Sequence, residues 1–197
     1  MHGEDLFEAN KHDSEGKLWT YLPYGPFESF DEYFQWLKAM SAKADPQFYA
    51  IVDLGSNKAL GLASYLRIAP ENGSIEVGHL CYSPLLQGTV AATEAMFLMM
   101  QCAFDMGYRR YEWKCNSLNM ASCNAAKRLG FSPEGVFRQH TVVKGHNRDT
   151  AWFSVIDTEW ALLKEAFTKW LSPLNFDEKG NQVKRLSDLT RVAIEKT

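Results

Sequence analysis

The 197-residue chain predicts an α/β fold, in the sense of an α+β mixed sheet flanked by helices, and three observations carry that expectation. The apolar stretches QFYAIVDL and ALGLASYLRI flank GSNK, which reads as an antiparallel hairpin. GSIEVGHLCYS and YRRYEWKCN are separated by a long helical stretch, a strand–helix–strand passage that adds a crossover to the hairpins. That stretch, Gln87–Met106, confines its polar residues Glu94, Gln101 and Asp105 to one narrow face. The rest of the helix must then be buried, most simply against a sheet.

In chain order, Glu4–Asn10 reads as a short helix, and Leu18–Phe27 as an aromatic loop broken by Pro23, Gly25 and Pro26. Ser29 is placed as the N-cap of a helix through about Ala42, with Glu32 three residues on and Phe30, Phe34, Leu37 and Met40 as its apolar stripe. The three strands named above follow, then Gln87–Met106, ended by Gly107. YRRYEWKCN alternates, with Tyr111, Trp113 and Cys115 on one face and Arg110, Glu112 and Lys114 on the other. A short helix from Asn119 to Leu129 is capped by Gly130. EGVFRQHTVVK, a turn at GHNRD and TAWFSVI form a final hairpin, and TEWALLKEAFTKWL closes a single domain over residues 1–171. Residues 172–197 read as a polar tail that packs loosely, with one more turn of helix near Leu186–Ile194.

Composition narrows the function. Hydrophobic residues make up 46% and charged residues 23%, the balance of a soluble globular domain. A net charge of −3 argues against broad nucleic-acid binding, which needs a basic field. No apolar run reaches membrane-spanning length, and Met1–Asn10 has no apolar signal segment. Cys81, Cys102, Cys115 and Cys123 match no zinc or dithiol spacing, so they read as small buried hydrophobes, reduced, in a cytoplasmic protein.

Three motifs in this order resemble the GNAT superfamily of acyl-CoA-dependent N-acetyltransferases, and within it the Rim-type branch of ribosomal-protein alanine and serine acetyltransferases. They are QGTVAATEA (Gln87–Ala95), NMASCNAAKRLGF (Asn119–Phe131) and EGVFRQHTVVKGHNRDTAWFSVID. The resemblance spans roughly Leu6 to Trp160. It implies acetyl-CoA as cofactor, no metal, and direct transfer of acetyl to a primary amine, on a small molecule or a protein N-terminus, in a ternary complex.

Physical chemistry supports that assignment at the first motif. A helix N-terminus presents unpaired N–H groups and partial positive charge, which together hold phosphate oxygens. Gln87, Gly88, Thr89, Val90, Ala91, Ala92 and Thr93 are the residues placed there, and small side chains let phosphate approach the backbone. Val90 stands where the family usually has glycine. By the resemblance, Asn119 contacts the cofactor arm, Ser122 can protonate the departing thiolate, and Lys127 is a candidate for the phosphates. Asn119 and Ser122 would also serve as ordinary helix caps.

The general base does not transfer, because the family's glutamate position is occupied by Thr141. His140 is adjacent, but alternation turns it to the opposite face unless a bulge intervenes. Glu76 is the candidate base, acting through water; a solvated edge glutamate is its plainer role. Tyr21, Tyr24 and Arg148, from the aromatic loop and the last hairpin, are candidate acceptor-binding residues.

Family members usually begin with a strand before the first helix; this sequence starts almost at that helix, so either that strand is absent or another segment takes its edge position, and an unpaired edge would suit a homodimer or a swapped arm. A non-catalytic acyl-CoA-binding or protein-interaction module with the same fold is the alternative, favoured by Val90 and Thr141. A third reading makes Cys123 an acyl-carrying nucleophile. Ribosomal protein, free amino acid, polyamine and antibiotic all remain open as acceptors.

Overall fold

The computed structural model describes residues 2–197 and shows a six-stranded mixed sheet with helices on both faces. The elements are α1 (Gly3–Asn10), α2 (Phe30–Ser41), β1 (Gln47–Asp53), β2 (Lys58–Ala69), β3 (Ser74–Tyr82), α3 (Val90–Asp105), β4 (Arg110–Asn116), α4 (Met120–Arg128), β5 (Ser132–Val143), β6 (His146–Ile156), α5 (Asp157–Leu171) and α6 (Leu186–Ile194). The strand order is β1-β2-β3-β4-β6-β5, all neighbours antiparallel except β3 and β4. No strand precedes α1 among the described residues, and β1 forms the outer edge.

Alternation in β4 sorts the two layers. Tyr111, Trp113 and Cys115 enter the larger core with α3, α4, α5 and α6, through Met96, Met100, Leu129, Leu163 and Phe167. Arg110, Glu112 and Lys114 face the other side. Over the β1–β3 end of that second face lie α1, α2 and the aromatic loop, around Leu6, Trp19, Tyr33 and Leu62.

Several expectations shift in detail. Ser29 caps α2 as expected, its hydroxyl accepting from Glu32 N–H. The side chain that α2 buries is Tyr33, stacked on Trp36, whereas Phe34 is 41% exposed. Phe30, Leu37 and Met40 are partly buried as expected, and Tyr33 and Trp36 widen the stripe because Phe27 of the aromatic loop packs on them, a partner that periodicity cannot show.

Helix α3 begins at Val90 rather than Gln87, capped by Thr89, and it is not buried all round. Leu98, 55% exposed, shares the outer face with Glu94 and Asp105. The last hairpin turns at Lys144–Gly145, with Val143 opposite His146. Both turn residues have positive φ, 49° and 77°, the signature of a two-residue loop matched to strand twist.

Residues 172–197 do not pack loosely. Leu186 and Ala193 enter the main core, and Thr190 is fully buried with its hydroxyl donating to Arg128 O. Gly130, at φ +91°, makes this possible. A Cβ there would lie 2.5 Å from Leu163 Cδ2 and 3.3 Å from Thr190 Cβ, so only glycine lets α5 and α6 close over the end of α4.

Leu186→Ala should therefore lower unfolding stability by about 2–5 kcal/mol in a denaturant titration, the usual cost of a large buried truncation. A change within about 0.5 kcal/mol, as at ordinary surface positions, would show that the segment is not part of the core.

Candidate functional site

The site originates in an interrupted strand pair. β3 and β4 pair in parallel only from Ser74–Val77 against Arg110–Trp113. Beyond that, β3 carries a bulge, with Gly78 opposite Ser64 and Cys81 opposite Leu62, and His79 at φ +51°. A bulge bends its strand and ends regular pairing. The two strands then diverge around a cavity of about 1140 Å³, lined by Gly78, His79, Leu80 and Tyr82 from one and Lys114, Cys115 and Asn116 from the other.

Two helix starts open into this cleft. Pro84 follows β3, and Gly88 turns the chain at φ +73° with nothing within 4 Å of where a Cβ would stand. Thr89 then caps α3, its Oγ1 accepting from Ala92 N–H at 3.1 Å and donating to Leu86 O at 2.7 Å. In the first turn this leaves the N–H groups of Val90 and Ala91 without a partner inside the helix. Gln87, Gly88, Thr89, Ala92 and Thr93 line the cavity. Val90 and Ala91 are not among the residues that line it.

At α4, Asn119 Oδ1 accepts from Ser122 N–H, and Trp113 Nε1–H donates to Ser122 Oγ at 3.0 Å. The indole fixes the serine oxygen as an acceptor, so the serine's own proton is free to be donated elsewhere. Ser122 and Asn119 both line the cleft. Lys127 does not: it is exposed and borders a separate cavity with Asn124 and Ser187. Arg128, one position later, is the cation that reaches the cleft, donating to Thr93 Oγ1 at 3.2 Å and lying over the Trp170 ring. Its spacing of three and seven residues from Ala125 and Ala121 could have indicated this, since those three share one helical face.

The opposite wall is charged. Glu76 is no solvated edge residue; it is 3% exposed, paired through Oε1 with Arg67 at 2.8 Å and through Oε2 with Lys114 at 2.9 Å. The ammonium that meets Oε2 is shared with Glu112. Burial raises the Glu76 carboxyl pKa above its ordinary value, with both cations opposing. Lys114, itself buried, also pairs with Glu112 and lies 3.8 Å from the Trp152 ring centroid.

The aromatic loop and the last hairpin do meet. Lys144 Nζ donates to Trp19, Tyr24 and Gly25 carbonyls, and Tyr21 Oη donates to Leu118 O at 3.2 Å. Tyr21 and Arg148 line the cavity. Tyr24 does not; its ring stacks on His79 and lies 4.3 Å from Trp36, with a buried, unpartnered hydroxyl. Burial in this aromatic cluster also lowers the His79 pKa to about 4, keeping it neutral.

The bulge that would free His140 from alternation is present. Between Phe137 and Thr141 three residues oppose Asp149 alone, and Gln139 has φ +50°. His140 Nδ1 accordingly lies 2.9 Å from Thr150 Oγ1, on the face of Trp152.

The family model described as an acetyltransferase (GNAT) domain matches residues 2–132 of this chain. A crystal structure of a GCN5-related N-acetyltransferase from Brucella melitensis is 48% identical, covers 96% of this chain and 86% of that one, and superposes with a TM-score of 0.94. One of a probable acetyltransferase of the GNAT family from Chromobacterium violaceum is 45% identical over 81% of this chain and 80% of its own, at a TM-score of 0.76. Among curated proteins, the uncharacterized N-acetyltransferase p20 of Bacillus licheniformis is 24% identical over 82% of this chain and 92% of its own.

The cysteines are free, three buried and Cys102 exposed. Cys123 Sγ lies 3.5 Å from Cys115 Sγ and has no imidazole among its hydrogen-bond partners, which removes the base a thiol nucleophile needs. Burial pushes the Cys81 and Cys115 thiols up to about 12. At pH 8 a disulfide reagent should therefore label one thiol, Cys102, at the rate of an exposed cysteine, with the other three reacting only on denaturation. Rapid labelling of Cys123 in the native protein would contradict this arrangement.

Proposed function

The chain belongs to the GNAT family of acetyltransferases, and on that premise we propose how its cleft carries out acetyl transfer from acetyl-CoA to a primary amine. The residues present suit the cofactor. The free N–H groups of Val90 and Ala91, the open backbone at Gly88 and the Arg128 guanidinium would hold the diphosphate. Gln87, Thr89, Ala92 and Thr93 border that position, and Asn119 would bind the cofactor arm with the amide left over from capping. Acetyl-CoA supplies an acetyl group activated as a thioester.

This chain's own groups then manage protons. Glu76, buried and lining the cavity, would accept a proton from the amine through water. Its raised pKa makes it a stronger base than an exposed glutamate while two cations keep it ionised. Ser122, its oxygen held by Trp113, would donate its hydroxyl hydrogen bond to the departing sulfur and stabilise the charge that develops there. Both act on an amine held by the cleft, so orientation contributes much of the rate.

The observation that carries this reading is the meeting, in one cavity between the diverging strands, of the Gly88–Thr89 turn that opens α3 and the oriented hydroxyl of Ser122. The acceptor is a primary amine on a small molecule or a peptide. The free cysteines support a reducing compartment such as the cytoplasm. The unpaired outer edge of β1 supports a homodimer.

Ser122→Ala should lower kcat in a thiol-release assay by about a hundredfold, the typical worth of a placed proton donor, while a calorimetric titration shows acetyl-CoA affinity changed by less than about threefold. Glu76→Gln should act in the same direction. Unchanged turnover in either variant would remove that residue's role.

A further inference from the structure

The charged wall of the cleft is not balanced. On the face of the sheet opposite α3 and α4 the carboxylates are Glu76, Glu112 and Glu134, each with cationic partners, and two others that line the cavity, Asp13 and Glu15, are taken by Leu18 N–H and Lys17. Arg67 and Lys114 hold Glu76, Lys114 and Arg110 hold Glu112, and Arg110 holds Glu134. Asp45, next to Arg67, is taken by the backbone N–H groups of Arg67 and Ile68.

Arg148 is the cation left over. It projects from β6 into the cavity, partly buried, and among the described residues it forms no ion pair. Its one hydrogen bond runs from Nε to Thr150 Oγ1 at 3.2 Å, which fixes the side chain and leaves both terminal nitrogens free. Thr150 is itself buried and bonded to His140, so the anchor is rigid. A guanidinium withdrawn from water, held at Nε and offering two parallel donors is a built receptor for a carboxylate or phosphate.

Its position says whose anion. Arg148 shares its face of β6 with Trp152, whose ring lies against the Lys114 ammonium that holds Glu76, so it belongs to the Glu76 end of the cleft. Arg128, by contrast, stands beside the start of α3 at Thr93. An amine lodged near Glu76 with an anionic group a few atoms away would satisfy both ends of this wall at once.

We propose that the acceptor is an amine that also carries an anionic group, and that the guanidinium of Arg148 seats that group. This rests on the acetyl-transfer reading above and narrows its substrate. A purely cationic amine such as a polyamine would bring like charge to Arg148 and leave it without a partner.

The test uses matched acceptors in the thiol-release assay: amino acids against their amides, β-alanine against 3-aminopropanamide, and O-phosphoethanolamine against ethanolamine. The first two kinds of pair report a carboxylate and the third a phosphate. The best acceptor should be anionic, preferred in kcat/KM over its neutral partner by about tenfold or more, the worth of one charge-assisted bidentate contact. Arg148→Gln should bring that ratio to about one, chiefly through KM, and Arg148→Lys should restore part of it.

Thermal shift of the CoA-saturated protein reads the same contact without turnover. Anionic members should raise the melting temperature of the wild type and not of Arg148→Gln, whose retained shift with acetyl-CoA certifies its fold. A neutral or cationic best acceptor, a preference that survives Arg148→Gln, or no shift from any anionic member would overturn the proposal. Loss of the acetyl-CoA shift in the wild type would instead count against the acetyl-transfer reading itself.

Discussion

The structure depends on one broken interaction, the parallel ladder between β3 and β4, which stops at Val77 and Trp113. Had it continued, the backbone groups beyond would be satisfied within the sheet and there would be no cleft. The His79 bulge ends it, and the aromatic stack of Tyr24 and Phe48 on His79 holds the bulge in place. The break also orders what surrounds it. Both helices whose starts face the gap, α3 and α4, follow directly on the strands that diverge. Their caps and free N–H groups therefore converge on one space.

Around that gap the chain accepts costly groups. Lys114 and Glu76 are both nearly excluded from water, and a buried ion pair seldom adds stability over apolar packing. Their arrangement is instead suited to holding a carboxylate in a defined place with its charge state under control. Lys114 lies over Trp152 and bridges to Glu112, so it is fixed from three sides. Further out, Lys144 and Tyr21 tie the aromatic loop to the last hairpin and to the β4–α4 connection. That end of the cleft is thus walled by segments far apart in sequence.

Much of this was legible in the residues. Mixed sheet, hairpins and the capped starts of α2 and α4 follow from local chemistry such as Ser29 and Asn119, which act within three residues. Local reading also pointed to Gln87, Gly88, Thr89, Ala92, Thr93 and Ser122, which the structure sets along one cavity. What was hidden involved distant partners. Tyr33 rather than Phe34 is buried because the aromatic loop packs on it, and Tyr24 is taken up by His79 and Trp36. Lys127 and Arg128 differ only in helical phase, which the basic pair alone does not resolve. The burial of Glu76 required knowing that Arg67 and Lys114 converge on it, and the C-terminal segment looked polar because its apolar residues are few, although Leu186 is fully buried.

The central claim is that the gap beyond Val77 and Trp113 is where acetyl-CoA binds. Amide hydrogen exchange with and without acetyl-CoA tests it most directly. Protection should concentrate in Gly78–Tyr82, Lys114–Asn116 and the first turn of α3. Exchange slowed elsewhere but unchanged in those three segments would contradict it.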